Sequence, residues 1–296
     1  MLSLKKSIAQ AKKNKTAVAH FNISELSTLK AVWKACQELS KTAGYNIPVI
    51  IGVSEGEQDF LGTKQTVSII KGIRKDRDYP IFLNADHHKS FESCKTAIDA
   101  GFDSVIIDCA DKSFEENVAL TKSVVEYARA SKNKKVLIEA ELGYIGSGSE
   151  VRDSLPEGAV VTENQLPTAE QVARFVKETG VDLLAPAVGN IHGMLKNSPN
   201  PHLFIKKIKE LRKAAKVPLV LHGGSGTPDE DFVKAIDAGI RIIHISTELR
   251  RAWRAGIEKS LLAHPNEVAP YKLLEDSYVG IKEVATNRLK LFNKIV

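Results

Sequence analysis

The most constraining feature of this sequence is its rhythm. Eight times, a short apolar run ending in polar or glycine-rich residues gives way to an amphipathic helical stretch, with no break in composition between the units. The apolar runs fall at residues 16–21, 48–53, 80–84, 104–108, 136–141, 183–188, from 219 to the histidine at 222, and 241–245. They read as strands buried on both faces, which is what a parallel sheet covered by helices requires. Helical patterns follow them at about 24–42, 59–76, 90–100, 114–130, 168–179, 201–215, 228–238 and up to about 263, with Ser24 and Ser90 as N-caps. Strict alternation of this kind predicts an α/β fold, a (β/α)8 TIM barrel in place of an open doubly wound sheet. The Lys-rich stretch 1–15 becomes an N-terminal helix and 269–293 a C-terminal helical extension, so residues 1–296 read as a single barrel domain.

A barrel makes a demand on the sequence, because its functional groups belong at the C-terminal ends of the strands, where the βα loops form the mouth. Ser54, Asp86 with His87, Asp108, Glu139 with Glu141, His192, His222 and Ser246-Thr247 all fall there. Helix capping is the ordinary alternative for Asp108 and Ser246. His87, His192 and His222 follow three different strands, and three neutral imidazoles that leave a fourth position open are the coordination expected of catalytic zinc. His88 competes with His87 for that role, and His20 and His244 lie near the mouth. Neighbouring strand residues point to opposite faces, so Asp86 and His87 share the mouth only if the backbone leaves strand geometry there. Asp86 then serves as a general base beside the cation, or caps the helix that Ser90 begins.

A second constellation suits an anion. Gly193 to Lys196, Gly223-Gly224-Ser225-Gly226 and Ser246-Thr247 offer glycine N–H groups, hydroxyls and an ammonium, and the last two loops are where barrels often hold phosphate. Neither a Walker A sequence nor a Gly-x-Gly-x-x-Gly after a strand is present, so the phosphate belongs to a small substrate. The net charge of +6 comes from scattered lysines, and aromatics make up only 6%, which argues against a nucleic-acid surface. Three separated cysteines without a CxxC fit a reducing compartment. Without an h-region or a run of eighteen apolar residues, the chain reads as cytoplasmic, with no membrane contact.

In this order, Asp86-His87, Glu139-Ala140-Glu141-Leu142-Gly143, His192-Gly193 with Lys196, Leu221 to Gly226, and Thr247-Glu248-Leu249-Arg250 resemble the class II, zinc-dependent ketose-bisphosphate aldolases. The resemblance runs from the Ala-Val-Ala-His-Phe-Asn opening, which ends at Asn22, to the last helix. It implies reversible aldol cleavage of fructose 1,6-bisphosphate, with the tagatose epimer, differing at one stereocentre, as the rival substrate. A zinc hydrolase has no need of the glycine loops, and a catalytically retired sugar-phosphate sensor would have no need of Asp86 beside three histidines. The resemblance implies Zn2+ on His87, His192 and His222, with Asp108 and Glu141 near the metal to tune it or to hold a second divalent ion. Asp86 takes the C4 hydroxyl proton, and Glu150 is the candidate donor to the substrate carbon. Asn22, Ser54, Gly193, Lys196, Gly223, Ser225, His244, Ser246, Thr247 and Arg250 contact substrate and phosphate, with room for a monovalent cation. A homodimer or homotetramer is the expected assembly. The chain departs from the family at His244, where asparagine is usual, at Ser246, and in the loop Gly146-Ser147-Gly148-Ser149-Glu150. An imidazole at 244 would become cationic as pH falls toward ~6.5.

Overall fold

The computed structural model of the chain describes residues 2–159 and 162–295. Eight parallel strands close into a barrel: β1 (Val18–Asn22), β2 (Val49–Ser54), β3 (Ile81–His88), β4 (Ser104–Ile107), β5 (Leu137–Leu142), β6 (Leu183–Pro186), β7 (Leu219–Leu221) and β8 (Ile240–Ile245). β8 seals the barrel against β1 through the pairs Val18 with Ile242 and His20 with His244. Helices lie between successive strands and bury their apolar stripes on the barrel's outer face, with Phe175, Phe232 and Phe292 among the fully buried side chains.

Local chemistry moves several of the expected boundaries. The helix expected at 59–76 is two, Glu55–Leu61 and Thr63–Arg77, parted at Gly62, whose φ of 83° leaves helical geometry. The final helix likewise splits into Pro270–Leu273 and Glu275–Asn293. Ser24 does not cap the helix Leu26–Ala43; the Glu25 carboxylate does, accepting the N–H groups of Ser27 and Thr28. Ser90 caps Phe91–Ala100 as expected. β3 runs four residues past the predicted end, to His88.

Inside the barrel, side chains alternate along each strand, so residues two apart form successive layers. The lowest layer is apolar: Val18, Ile50, Phe82, Leu137, Leu183, Val220 and Ile242 pack against Leu4, Ile8 and Ala11 of the N-terminal helix Leu4–Asn14, which plugs the bottom. One layer up, at the same strands, stand His20, Gly52, Asn84, Glu139, Ala185, His222 and His244. A Cβ on Gly52 would lie 2.0 Å from His20 Cε1, so the missing side chain is what makes room for the His20 ring. Asn22, Ser54, Asp86 and Glu141 form the rim. Among the described residues no helix is long and apolar enough to cross a membrane.

Candidate metal and substrate site

The rim is shaped by one backbone irregularity. Against β4 the register of β3 shifts between Ala85 and His88, and His87 adopts a left-handed φ of 51°. That conformation costs a non-glycine residue roughly 1–2 kcal/mol. It turns the His87 ring to the same mouth as Asp86, the departure from strand geometry that a shared mouth demands. His88 falls back into register opposite Ile107 and is buried away from the other histidines' cluster.

Four donor atoms, one each from His87, Glu141, His192 and His222, lie within 4.8 Å of one another. His87 Nε2 stands 3.2 Å from His222 Nδ1, and Glu141 Oε1 is 2.6 Å from His222 Nδ1 and 3.9 Å from His192 Nε2. Two carboxylates hold the rings from behind: Glu139 Oε1 is 2.7 Å from His222 Nε2, and Asp108 Oδ2 is 3.0 Å from His87 Nδ1. Such backing fixes which ring nitrogen faces inward. Asp108 is therefore not one of the four converging donors, and its place behind His87 is a tuning position. Asn190 ties the His192 loop to β7 by donating to the His222 carbonyl at 2.9 Å.

Burial disfavours every charge here; opposite charges outweigh it at His222, His87, Glu141 and Asp86, whereas burial raises Glu139. Glu141 and Glu139 overcome burial to hold the His222 imidazole well above its ordinary value. Asp86, Glu141 and Asp108 do the same at His87, raising it to about 9. In return, His222 and His87 keep the buried Glu141 carboxyl well below its usual range, and His87, His244 and His20 keep Asp86 there. At His192 burial prevails and lowers the ring's pKa. Opposite charges thus favour the protonated imidazoles of His222 and His87 in the metal-free chain, and a divalent cation would compete with protons for these nitrogens. Glu141 Oε1, though 2.6 Å from His222 Nδ1, is buried and lacks a hydrogen bond of proper geometry, a further sign that this donor set fits a metal.

Asp86 sits between this cluster and a column of stacked imidazoles. Asn22 Nδ2 donates to its Oδ2 at 2.8 Å and, at 3.2 Å, to Glu57 Oε2. His244 Nδ1 is 3.3 Å from Asp86 Oδ1 but lacks hydrogen-bond geometry, so both atoms are buried and unpartnered. The His244 ring is stacked on His20 at 3.5 Å on one side and on His222 at 4.0 Å on the other. His20 is anchored by Asn84 Oδ1 at 3.1 Å, and Asn84 by donation to Ser104 Oγ at 2.7 Å. Burial, then His20 and His222, hold His244 well below its ordinary value. The expectation of a cationic His244 near pH 6.5 is therefore corrected. Asp86 does no capping for the helix after Ser90, and Ser246 makes no side-chain cap bond either.

Above these groups opens a cavity of about 250 Å³ whose wall includes Asn22, Ser54, Asp86, His87, Asp108, His192, Gly193, Gly223, Ser225, His244, Ser246, Thr247 and Arg250. Gly223, with φ 57°, needs its lack of a side chain, because a Cβ there would fall 2.1 Å from the Ile191 carbonyl oxygen. Gly224 N–H is spent on the His244 carbonyl, and Gly226 N–H on Glu248 Oε1. Among the described residues the Gly223 and Ser225 N–H groups meet no protein acceptor. Ser225 Oγ accepts from the N–H groups of Ser246 and Glu248, at 3.1 and 3.2 Å, which leaves its own proton to donate into the cavity. Asn200 clasps the two glycine loops together, donating to the Gly193 and Ser225 carbonyls.

Two expected residues are not brought in. Lys196 is exposed beside Asp153, 3.7 Å away, and the lysine that lines the cavity is Lys89. Glu150 is exposed and 3.5 Å from Arg152, while the preceding residues Gly146 to Ser149 do line the cavity. Glu150 and Lys196 flank the small ribbon of Val151–Arg152 with Met194–Leu195, and both are exposed. Sequence reasoning missed Glu57, which receives Asn22, the Ser54 hydroxyl and, at 2.7 Å, Arg250 Nη2. Its signal was the capping-box spacing of Ser54 and Glu57.

Residues 2–295 match the family model described as fructose-bisphosphate aldolase class-II. The fructose-bisphosphate aldolase of Geobacillus stearothermophilus is 37% identical over 295 residues, covering 99% of this chain and 96% of that one. The enzyme of that name from Staphylococcus aureus is 38% identical over 295 residues, with 99% and 97% covered. Among solved structures, the YdjI aldolase from Escherichia coli K12 superposes with a TM-score of 0.78 at 29% identity, over 99% of this chain and 97% of that chain. Fructose-bisphosphate aldolase from Campylobacter jejuni shares the fold, with a TM-score of 0.79 at 21% identity over 99% and 95% of the two chains. These matches run from the plug helix to the C-terminal helix, and by them this chain belongs to the class-II fructose-bisphosphate aldolase family.

Proposed function

We propose that the chain catalyses the reversible cleavage of fructose 1,6-bisphosphate to dihydroxyacetone phosphate and glyceraldehyde 3-phosphate. The observation that carries this reading is the convergence of His87, Glu141, His192 and His222 on one point beside the unpartnered Asp86 Oδ1 and a glycine-rich loop with free N–H groups. A divalent ion, zinc by its imidazole-rich donors, would be held by His87, His192 and His222 with Glu141 beside them. When bound, it supplies Lewis-acid polarisation of the substrate ketone.

The remaining work falls to the chain. Asp86, kept ionised by its histidine neighbours and held in place by Asn22, accepts the C4 hydroxyl proton as the C3–C4 bond breaks, and returns it in the condensation direction. His244, stacked between His20 and His222 and held toward its neutral form, offers one hydrogen bond to the sugar. Gly193, Gly223, Ser225, Ser246 and Thr247 receive one phosphate, and Arg250, braced by Glu57, faces the other. A second divalent ion near Asp108 and Glu141, and a monovalent cation beside the phosphate loop, are further occupants this reading admits. The same reading makes the protein a cytoplasmic homodimer or homotetramer. Steady-state cleavage of both C4-epimeric bisphosphates tests it: faster turnover of fructose 1,6-bisphosphate is expected, and a preference for the tagatose epimer would overturn the substrate assignment.

A further inference from the structure

The C-terminal helix reaches the anion loop through a single carboxylate. Arg288 Nε donates to Glu248 Oε2 at 2.7 Å and Nη2 to Glu248 Oε1 at 3.0 Å, a two-point clasp that fixes the plane of the carboxylate as well as its position. Glu248 Oε1 in turn accepts the Gly226 N–H at 3.0 Å, and the Glu248 N–H donates to Ser225 Oγ at 3.2 Å. Glu248 thus grips the last two residues of the loop from both its backbone and its side chain. Arg288 is itself braced, with Nη1 on Asp229 and the guanidinium 5.0 Å over the Phe232 ring. The Arg288 and Glu248 side chains are only 17% and 10% exposed, so water screens this pair far less than a surface pair. Losing one partner would leave the other charge mostly desolvated.

We propose that Arg288 is a positioning residue for phosphate recognition. It is absent from the cavity wall and acts through Glu248, setting where Ser225 and Gly226 stand, and with them the Ser225 hydroxyl and the unpaired amides of Gly223 and Ser225, two residues that line the cavity. The inference rests on the reading of this loop as the phosphate cradle. The ligand His222 precedes this loop, but its ring is held by Glu139 and Glu141 of β5, which Arg288 does not touch, so metal occupancy should be independent of Arg288.

The test is equilibrium titration of the metal-loaded protein with inorganic phosphate, alongside steady-state kinetics, metal content and melting temperature. The variants are Arg288→Met, which keeps a stem over Phe232, Arg288→Lys, Glu248→Gln and the Arg288→Met/Glu248→Gln pair. Arg288→Met is expected to raise the Kd for phosphate and the KM for the bisphosphate together by about tenfold, the scale of one lost charged hydrogen bond. Metal content should be unchanged and kcat within about twofold. Lysine, with the charge but not the fork, should fall in between. The double variant should be no weaker than the worse single one, since both act along one path. Native phosphate affinity in Arg288→Met, even with a lower melting temperature, would overturn the inference alone, and so would strictly additive losses in the double variant. Absence of phosphate binding to the native protein would overturn both the inference and the cradle reading beneath it.

Discussion

The two ends of the barrel interior use the same strands and differ by one or two steps of the side-chain alternation. At the lower end, Phe82, Ile50, Val220 and their neighbours meet the plug helix in an apolar layer. At the upper end, residues two and four positions further along those strands are Asn84 and Asp86, Gly52 and Ser54, and His222. The lower layer contributes by excluding water, and its partners are interchangeable within limits of volume. The upper layer is held by opposed charges whose burial is unfavourable until they meet each other or a cation. Stability and chemistry are thus separated along the barrel axis, and substitutions at the two ends should fail in different ways.

The largest effect should follow His222→Ala. Removing the ring that contacts Glu141, Glu139, His87 and His244 leaves two imidazoles, and metal analysis should find the variant unable to retain zinc through desalting, with cleavage at background. Stoichiometric zinc in that variant would place the ion elsewhere. At the opposite end, Phe82→Ala should lower unfolding free energy by about 3–5 kcal/mol, the usual cost of an emptied aromatic site, while its folded fraction keeps native kcat. Denaturant melts combined with kinetics check this, and a large drop in kcat at full folding would show that the two ends are not separable. Asp86→Ala should keep zinc and lose cleavage by ~100-fold or more. Near-native turnover would remove it from the role of base.

The smallest effect is a pH dependence of the metal-free protein. His87 is raised to about 9 from an ordinary 6.5, so its protonated form favours the folded chain: that stabilisation is whole below about 6.5 and is lost as pH rises through about 9. His20 is lowered to about 4 by burial, so its contribution is whole above 6.5 and is lost as pH falls through about 4. From these two groups the melting temperature of chelated protein should peak near neutrality and fall on either side by several degrees. With zinc bound, His87 has no proton to lose, and the alkaline fall should vanish. An identical alkaline slope with and without zinc would detach His87 from the metal.

Much of this was legible in the sequence because alternation and strand ends are local properties. The eight units, the rim positions of Asp86, His87, His192 and His222, and the need for a backbone break at Asp86-His87 all follow from periodicity and the geometry of a strand. Side-chain direction outside regular structure is not local. Lys196 and Glu150 flank a small ribbon that joins two loops, both exposed, and Lys89 is the lysine that lines the cavity. Asp108 was expected either to tune the metal site or to hold a second ion, and Glu139 had no assigned role, for a related reason: a carboxylate behind an imidazole and one in front of it have the same sequence spacing, and only the ring orientation separates them. His244 was visible as a departure, but its stacking on His20 depended on the space at Gly52, on a neighbouring strand.

The most direct test of the central claim, that the polar end of the barrel is a metal-dependent aldolase site, is to strip the protein with a chelator and titrate zinc back while following fructose 1,6-bisphosphate cleavage. The account predicts no turnover at the start and a rise to a plateau at about one equivalent per chain, the occupancy of a single three-histidine site. Cleavage that persists without metal, accompanied by borohydride trapping of substrate on a lysine, would contradict it.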